Sequence, residues 1–440
     1  MKVKTWDNNT EITADDIPES TQKIIFDLTF NRLIKENVLP DSLEHVVFGH
    51  RFNQPIGENV LPKNLKSVRF GGRFNQRISQ NTLPNSLEYI IFGHEFNKPI
   101  DENVLPNSLN FISFGREFDQ VIGENVLPNS LEVIEFGDNF NQPIGENTLP
   151  DSLKNINFGY NFNHPIGPNI LPRCLRYLHL GINFNISIVE NSLPNSLESI
   201  IFSYCFNQVI RENVLPNSLE YIRFGENFNQ LIGENTLPNS LKIIEFGDNF
   251  NRPFGPNILP DSIKSICFGY SFNTEITSNS LPNSLESITF DYRFDQPFGM
   301  NVLPDSLKFI DFGNGFNQPI NTFFLPDSVE EINIYSDYNS EIIAECLPAN
   351  LRFLRTSSFR ILESLNRIAH SMQFTVIVNF GGAHDYIPVK IFYPVFQDAK
   401  NHVSEMYEII GTEVIDGITR NKIINPETYQ LRSNAKSARN

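Results

Sequence analysis

The chain has 440 residues, is 40% hydrophobic with 39 Phe and one Trp, and carries a formal net charge of −17. Such an acidic surface repels phosphate backbones and anionic lipid headgroups, so neither nucleic acid nor a membrane is expected as a partner. Length alone suggests two or three globular domains, but a fixed internal period overrides that reading.

The amino terminus, Met1-Lys2-Val3-Lys4-Thr5-Trp6-Asp7, is followed by no apolar stretch of signal-peptide type. No run approaches the roughly 18 apolar residues of a membrane span, and a cytoplasmic location is expected. Residues 1–16 keep part of the register that follows, with Ile12 standing one period ahead of Ile34, and read as a degenerate cap. Cys174, Cys205, Cys267 and Cys346 show no CxxC spacing. Cys205 and Cys267 fall three coils apart, on the order of 14 Å at strand spacing, too far for a disulfide that needs Cα atoms within about 7 Å. Free thiols in a reducing compartment follow.

From Ile17-Pro18 the chain repeats. Leu-Pro stands at Leu39-Pro40, Leu61-Pro62, Leu83-Pro84 and so on to Leu347-Pro348, fifteen times at one constant interval, with no insertion or deletion. A clear copy runs Leu127-Pro128-Asn129-Ser130-Leu131-Glu132-Val133-Ile134-Glu135-Phe136-Gly137-Asp138-Asn139-Phe140-Asn141-Gln142-Pro143-Ile144-Gly145-Glu146-Asn147-Thr148. Ile134 and Phe136 alternate with Val133, Glu135 and Gly137, which is a period of two and predicts a short strand. Proline in every unit forbids a long helix. A coil this small cannot bury its apolar side alone, so it stacks on the next one. Identical units stacked in parallel make a continuous sheet with strands about 4.8 Å apart, a ladder of roughly 70 Å over the whole array. Leu-Pro fixes the return leg as extended or tightly turned backbone.

Three columns recur inside the coil. At the Phe140 position stand fourteen Phe (Phe52 and Phe228 among them) and Tyr338, which predict an aromatic spine. The next position is Asn in thirteen of fifteen units, including Asn53, Asn141 and Asn229, with Asp119 and Asp295 as exceptions. These amides are expected to satisfy inward-turned backbone groups out of reach of water, or to bond one another. A second Asn column, the Asn147 position, runs through thirteen successive units and fails at Phe323 and Glu345; its periodicity points to structure rather than to a ligand site.

Phe140-Asn141-Gln142-Pro143-Ile144 with Leu149-Pro150-Asp151-Ser152-Leu153 closely resembles the FNIP repeat, over residues 17–355. The resemblance implies a relative of leucine-rich repeats, and Leu131-x-x-Ile134-x-Phe136 maps onto LxxLxL. Some family members carry an F-box and would serve as substrate receptors of ubiquitin ligases; the sixteen residues before Ile17-Pro18 are too few for one. Some units depart from the pattern: Leu180 replaces Phe, Ile186-Ser187 replaces Gln-Pro, and Ile334-Tyr335 replaces Phe-Gly.

Positions free to differ mark the presented surface. These are the outward strand positions equivalent to Val133, Glu135 and Asp138, expected on a concave face. They carry Tyr89, Phe111, Arg116, Tyr177, His179, Tyr221, Arg223, Glu245 and Asp311. Mixed aromatic and charged side chains are what protein recognition favours. Tyr177, His179, Tyr221 and Arg223, two coils apart at mid-array, are the first candidates for a hot spot. Tolerated solvent positions are the competing reading.

After Leu351 and Leu354 the pattern stops, and residues 356–440 read as a small α+β domain. Helical spacing at Ile361, Leu362, Leu365, Ile368 and Met372 precedes alternation at Phe374, Val376, Val378, Phe380 and at Ile387, Val389, Ile391, Tyr393 across Gly381-Gly382. Ala399, Val403, Met406 and Ile410 suggest a second helix, and a basic tail follows with Arg420, Lys422, Arg432, Lys436 and Arg439. His384-Asp385, near His370, Ser371 and His402, is the one cluster that resembles a catalytic site, and a hairpin turn explains its Gly-Gly more simply. No metal-ligand spacing, phosphate loop or dinucleotide fingerprint occurs, so no catalysis, metal or cofactor is expected. The sequence thus predicts a β-rich, leucine-rich-repeat-like solenoid of about sixteen coils acting as a protein-interaction scaffold for an unidentified protein partner. The alternatives are a ligase substrate receptor working without an F-box and a structural spacer; the oligomeric state stays open.

Overall fold

The computed structural model describes residues 1–7, 9–320, 324–335, 338–340, 342, 346–358 and 361, together with the strands Thr375–Asn379, Tyr386–Val389, Thr412–Ile415 and Ile418–Asn421. The helices expected around 362–372 and 399–410, the Gly381-Gly382 turn, His384-Asp385 and the tail beyond residue 421 lie outside these residues. The chain forms two compact units, Met1–Phe272 and Asn273–Asn440.

In the first unit every coil contributes one strand. Val3–Trp6 and Lys23–Phe26 come first, then three-residue strands from His45–Val47 to Ser265–Cys267. All neighbours are parallel, and from Lys23–Phe26 onward each residue pairs with its equivalent one repeat on, as in Ile112↔Ile134↔Ile156. Val3–Trp6 pairs with Lys23–Phe26 starting at Val3↔Lys23, two residues off the register of the repeats. Ile134 is fully buried and Val133 and Glu135 are half-buried, the alternation that a period of two demands. The return leg holds no helix. The Leu131 amide donates to the Pro128 carbonyl at 3.0 Å, closing a tight turn through Asn129 and Ser130.

Two aromatic columns, not one, fill the coil. The Phe140 column, from Phe30 to Phe250, is at most 1% exposed, with successive rings 6.0–6.3 Å apart. The Phe136 column stacks beside it at 5.3–5.9 Å, and within a coil the two rings approach to 3.9–4.4 Å. Spacing that grows from about 4.8 Å between strands to 6.1 Å between Phe140 and Phe162 means that coils fan apart away from the sheet. In this unit the strand face therefore lies on the inside of the curve.

The Asn141 column satisfies backbone groups as expected, but not out of reach of water. Its side chains sit half-buried to exposed at the coil surface rather than sealed inside. Each Oδ1 accepts the backbone N–H of the Asn one coil on: Asn53 to Asn31 at 2.9 Å, Asn163 to Asn141 at 3.0 Å, Asn229 to Asn207 at 2.9 Å. Where the following residue is Gln, its amide donates to the same oxygen, as Gln230 does at 2.9 Å. Only an acceptor is used, which explains the exceptions: Asp119 and Asp295 accept from Asn141 and Asn317 at 2.9 and 2.8 Å. Asn207→Asp is accordingly expected to leave stability within about 0.5 kcal/mol, whereas Asn207→Ala strands the Asn229 N–H, leaves Gln230 only the Asn207 backbone carbonyl and costs about 1 kcal/mol. Urea titration of both variants checks the contrast.

The second Asn column has a backbone role. All thirteen residues from Asn37 to Asn301 adopt φ between 56° and 64°, the left-handed region that Asn tolerates better than other side chains. Asn147→Ala is expected to cost about 1 kcal/mol and Asn147→Gly a few tenths at most, read as a shift in the denaturation midpoint.

The Ser of Leu-Pro-x-Ser-Leu has its own column. Ser130 Oγ donates to the Leu109 carbonyl at 2.7 Å, and Ser152, Ser196 and Ser218 repeat the bond. Asn64, which replaces one Ser, donates its amide to the Asp41 carbonyl at 2.9 Å instead.

In the second unit, Ser287–Thr289, Phe309–Asp311, Glu331–Ile334 and Phe353–Thr356 continue the parallel pattern. Thr375–Asn379 adds to Phe353–Thr356 in parallel, and Tyr386–Val389 pairs antiparallel with it, where the sequence alternation placed two strands. A further hairpin, Thr412–Ile415 with Ile418–Asn421, includes Arg420. Tyr338 stands in the Phe column, its buried hydroxyl accepting the Ile320 N–H at 3.3 Å and its pKa pushed up to about 12, chiefly by burial.

Candidate interaction surface

The outward face of the first unit is built by strands only three residues long, so each coil offers two outward side chains and a third just past Gly. Register then decides which of them meet. Tyr177 and Tyr221 flank Ser199, and His179 and Arg223 flank Ile201. Side chains from alternate coils thus form a two-by-two patch around one small and one aliphatic side chain. Arg223 and Glu245 are register partners, with Nε and Oε2 3.7 Å apart. Burial first, then the Glu245 charge, raises the Tyr221 pKa above its usual value. His179 is open to solvent by surface area but crowded by the adjoining strands. That desolvation, followed by the Arg223 charge, lowers its pKa, so the imidazole is neutral at neutral pH.

The remaining candidates form a separate group. Tyr89 and Phe111 are register partners with rings tilted by 34° at 6.1 Å. Arg116, past the strand end, lies 3.5 Å from Asp138 in an exposed pair. The coils of Val133 and Asn155 stand between this group and the central patch. Asp311 is not presented at all: it occupies an outward position but is 3% exposed, bonded to the Asn333 amide at 2.9 Å and the Tyr335 hydroxyl at 3.1 Å. Alternation predicts which face a residue takes and is blind to what covers that face.

The position past the strand extends the central patch with two aromatic side chains legible in the sequence, Tyr160 and Tyr204, and one that is not, Ile182. Tyr160, Ile182 and Tyr204 occupy the position past the strand in three successive coils and are 50%, 36% and 52% exposed. Two of these coils, those of Ile182 and Tyr204, also depart from the repeat. Ser203 replaces the column Gly and anchors its Oγ on the Phe184 carbonyl, Leu180 replaces Phe, and Cys205 donates toward Asn183 at 3.8 Å where the coils on either side carry Asn183 and Asn227. Comparing units with one another was the available signal: variation clusters where the fold does not require it.

A second concave feature is a polar groove of about 590 Å³ lined by Asp119, Asn139, Asn141, Asn161, Asn163 and Asn183. Asn161 and Asn183 each donate to the amide oxygen one coil back, at 3.3 and 2.9 Å. Its walls are thus the structural amide columns. Among the described residues no cluster of three or more His, Cys, Asp or Glu could hold a metal ion. No helix among them is long and apolar enough to cross a membrane.

The FNIP Repeat family matches nine segments that together cover residues 8–359: 8–51, 52–95, 96–139, 140–183, 162–205, 184–227, 228–271, 272–315 and 316–359. Among solved structures the chain resembles CroV588, described as a novel circular leucine-rich-repeat protein, at 47% identity and a TM-score of 0.71 over 78% of this chain and 54% of that one. It also resembles a chain of the Drosophila Toll–Spatzle complex at 13% identity and a TM-score of 0.58, over 81% of this chain and 54% of that one, a likeness of fold alone. The chain therefore spans about half the length of either structure. No curated protein sequence matches it. With matched repeats tiling most of its length in a leucine-rich-repeat-like solenoid, the chain belongs to the FNIP repeat family.

Proposed function

We propose that the chain is a non-catalytic, cytoplasmic protein-interaction scaffold whose working surface is the outward sheet face centred on Tyr177, His179, Tyr221, Arg223 and Glu245. One observation carries the reading. Exposed aromatic side chains, Tyr160, Tyr177 and Tyr204, gather with an Arg–Glu pair in neighbouring coils of the first unit. Large, stiff side chains on a preformed sheet lose little entropy on binding, and this is the composition of interface anchors. The Thr375–Asn379 and Tyr386–Val389 strands support a small α+β end domain following the repeats.

Affinity purification from the cell of origin tests the reading. It compares the intact chain with a Tyr177→Ala, Tyr221→Ala, Arg223→Glu variant shown by circular dichroism to fold. The expected result is a protein retained by the intact chain and lost with the variant. Identical proteins on both would favour the spacer reading, and ligase subunits among the lost proteins would favour a substrate receptor.

A further inference from the structure

The acidic side chains of the first unit's outward face are unevenly placed. Arg223 is committed to Glu245, and His179 is neutral at neutral pH. Beside them stand Glu226 and Asp248, neighbours past the strand ends, with Glu226 Oε2 accepting the Asp248 N–H at 3.1 Å. On the other side of the patch lies Glu135. Among the described residues neither Glu135 nor Asp248 forms a salt bridge. The apolar centre, Tyr177, Ile201 and Tyr204, is thus bordered by carboxylates on both sides while its one arginine is already neutralised.

Resting on the binding-face reading above, we propose that the partner presents a cationic polypeptide segment. Its aliphatic or aromatic side chains lie on Tyr177, Ile201 and Tyr204, and its Lys or Arg side chains reach Glu226, Asp248 and Glu135. Phosphate-bearing partners are repelled by the same carboxylates and by the chain's net charge of −17. Exposed tyrosine faces add a cation–π contribution for the same ligand. Complementary charge of this kind acts mainly on association rate and partner choice, and it weakens with salt.

The test uses the full chain and two fluorescein-labelled extended peptides that share Leu, Tyr and Pro positions, one bearing Lys and Arg and the other Glu, followed by fluorescence anisotropy at low and high salt. The face variant is Glu135→Gln, Glu226→Gln, Asp248→Asn. The control variant, Glu58→Gln, Glu102→Gln, Glu124→Gln, removes the same charge from exposed turns. The cationic peptide is expected to bind the intact chain, to weaken by about ten-fold with the face variant and to change by less than about two-fold with the control. Equal weakening in both variants would mean attraction to net charge alone and would overturn the proposal. So would an absence of cationic binding, or preference for the anionic peptide. If the preferred peptide is anionic and Tyr177→Ala abolishes its binding, the face is used and only the charge assignment is wrong. If Tyr177→Ala leaves every bound peptide unaffected, the face reading itself fails.

Discussion

Phe140→Ala is expected to lower stability by about 3–5 kcal/mol, the range for truncating a buried aromatic ring. The ring is fully buried and in contact on three sides: Phe136 at 4.1 Å in its own coil, Phe118 and Phe162 at 6.1 Å in the coils on either side. The cavity left behind cannot collapse, because flanking rings are held at the coil spacing by the sheet on one side and the Asn141 column on the other. In a repeat array each coil touches only its neighbours, so the damage should be local. Amide hydrogen exchange should show protection lost in the coils of Phe118, Phe140 and Phe162 and kept near Phe52 and Phe228. Uniform loss would mean that the array unfolds as one cooperative block.

Gly137→Ala should cost about 2–3 kcal/mol, the scale of overpacking in a filled interior. A Cβ at Gly137 would lie 1.8 Å from the Gly115 carbonyl oxygen of the preceding coil, and both atoms belong to backbone that the strand register fixes. Gly145→Ala is the control: its Cβ would meet nothing closer than the Thr148 Oγ1 at 3.4 Å, and its cost should stay within about 0.5 kcal/mol. Ser203 shows what accommodation takes. Within the run of coils from Gly49 to Gly269 the native chain carries a side chain in this column at Ser203, where the hydroxyl anchors on the Phe184 carbonyl and where Leu180 has replaced a Phe in the coil before. Thermal melting of both variants separates close backbone packing from a general preference for glycine in turns.

The fold was readable because its determinants are local and repeated. Leu-Pro fixes a turn, Ile134-x-Phe136 fixes a strand face, and a constant period without slippage fixes the register, so one coil solves them all. Columns were harder, since a recurring residue announces a role without naming its atoms. The Asn141 column satisfies backbone N–H groups, one of its two expected roles, but does so at the coil surface and as an acceptor alone. The clue was already in Asp119 and Asp295, which keep the acceptor and lose the donor. Phe136 was legible as an apolar position, but its partnership with Phe140 depends on the fan of the coils. At the surface, alternation placed Tyr177, Tyr221 and Arg223 correctly, and register brought them around Ser199 and Ile201. It also placed Asp311 outward, where tertiary cover buries it. Ile182 escaped notice because an aliphatic residue does not advertise a surface.

Site-specific photo-crosslinking tests the central claim most directly. A benzophenone amino acid is placed singly at Tyr177, Tyr204 and Tyr221 on the face, and at Glu58, Glu124 and Glu146 in the turns, in the chain expressed in its native cell. The binding-face account predicts that the three face positions capture the same protein on irradiation and that the turn positions do not. Capture from the turns, with the face positions silent, would contradict it.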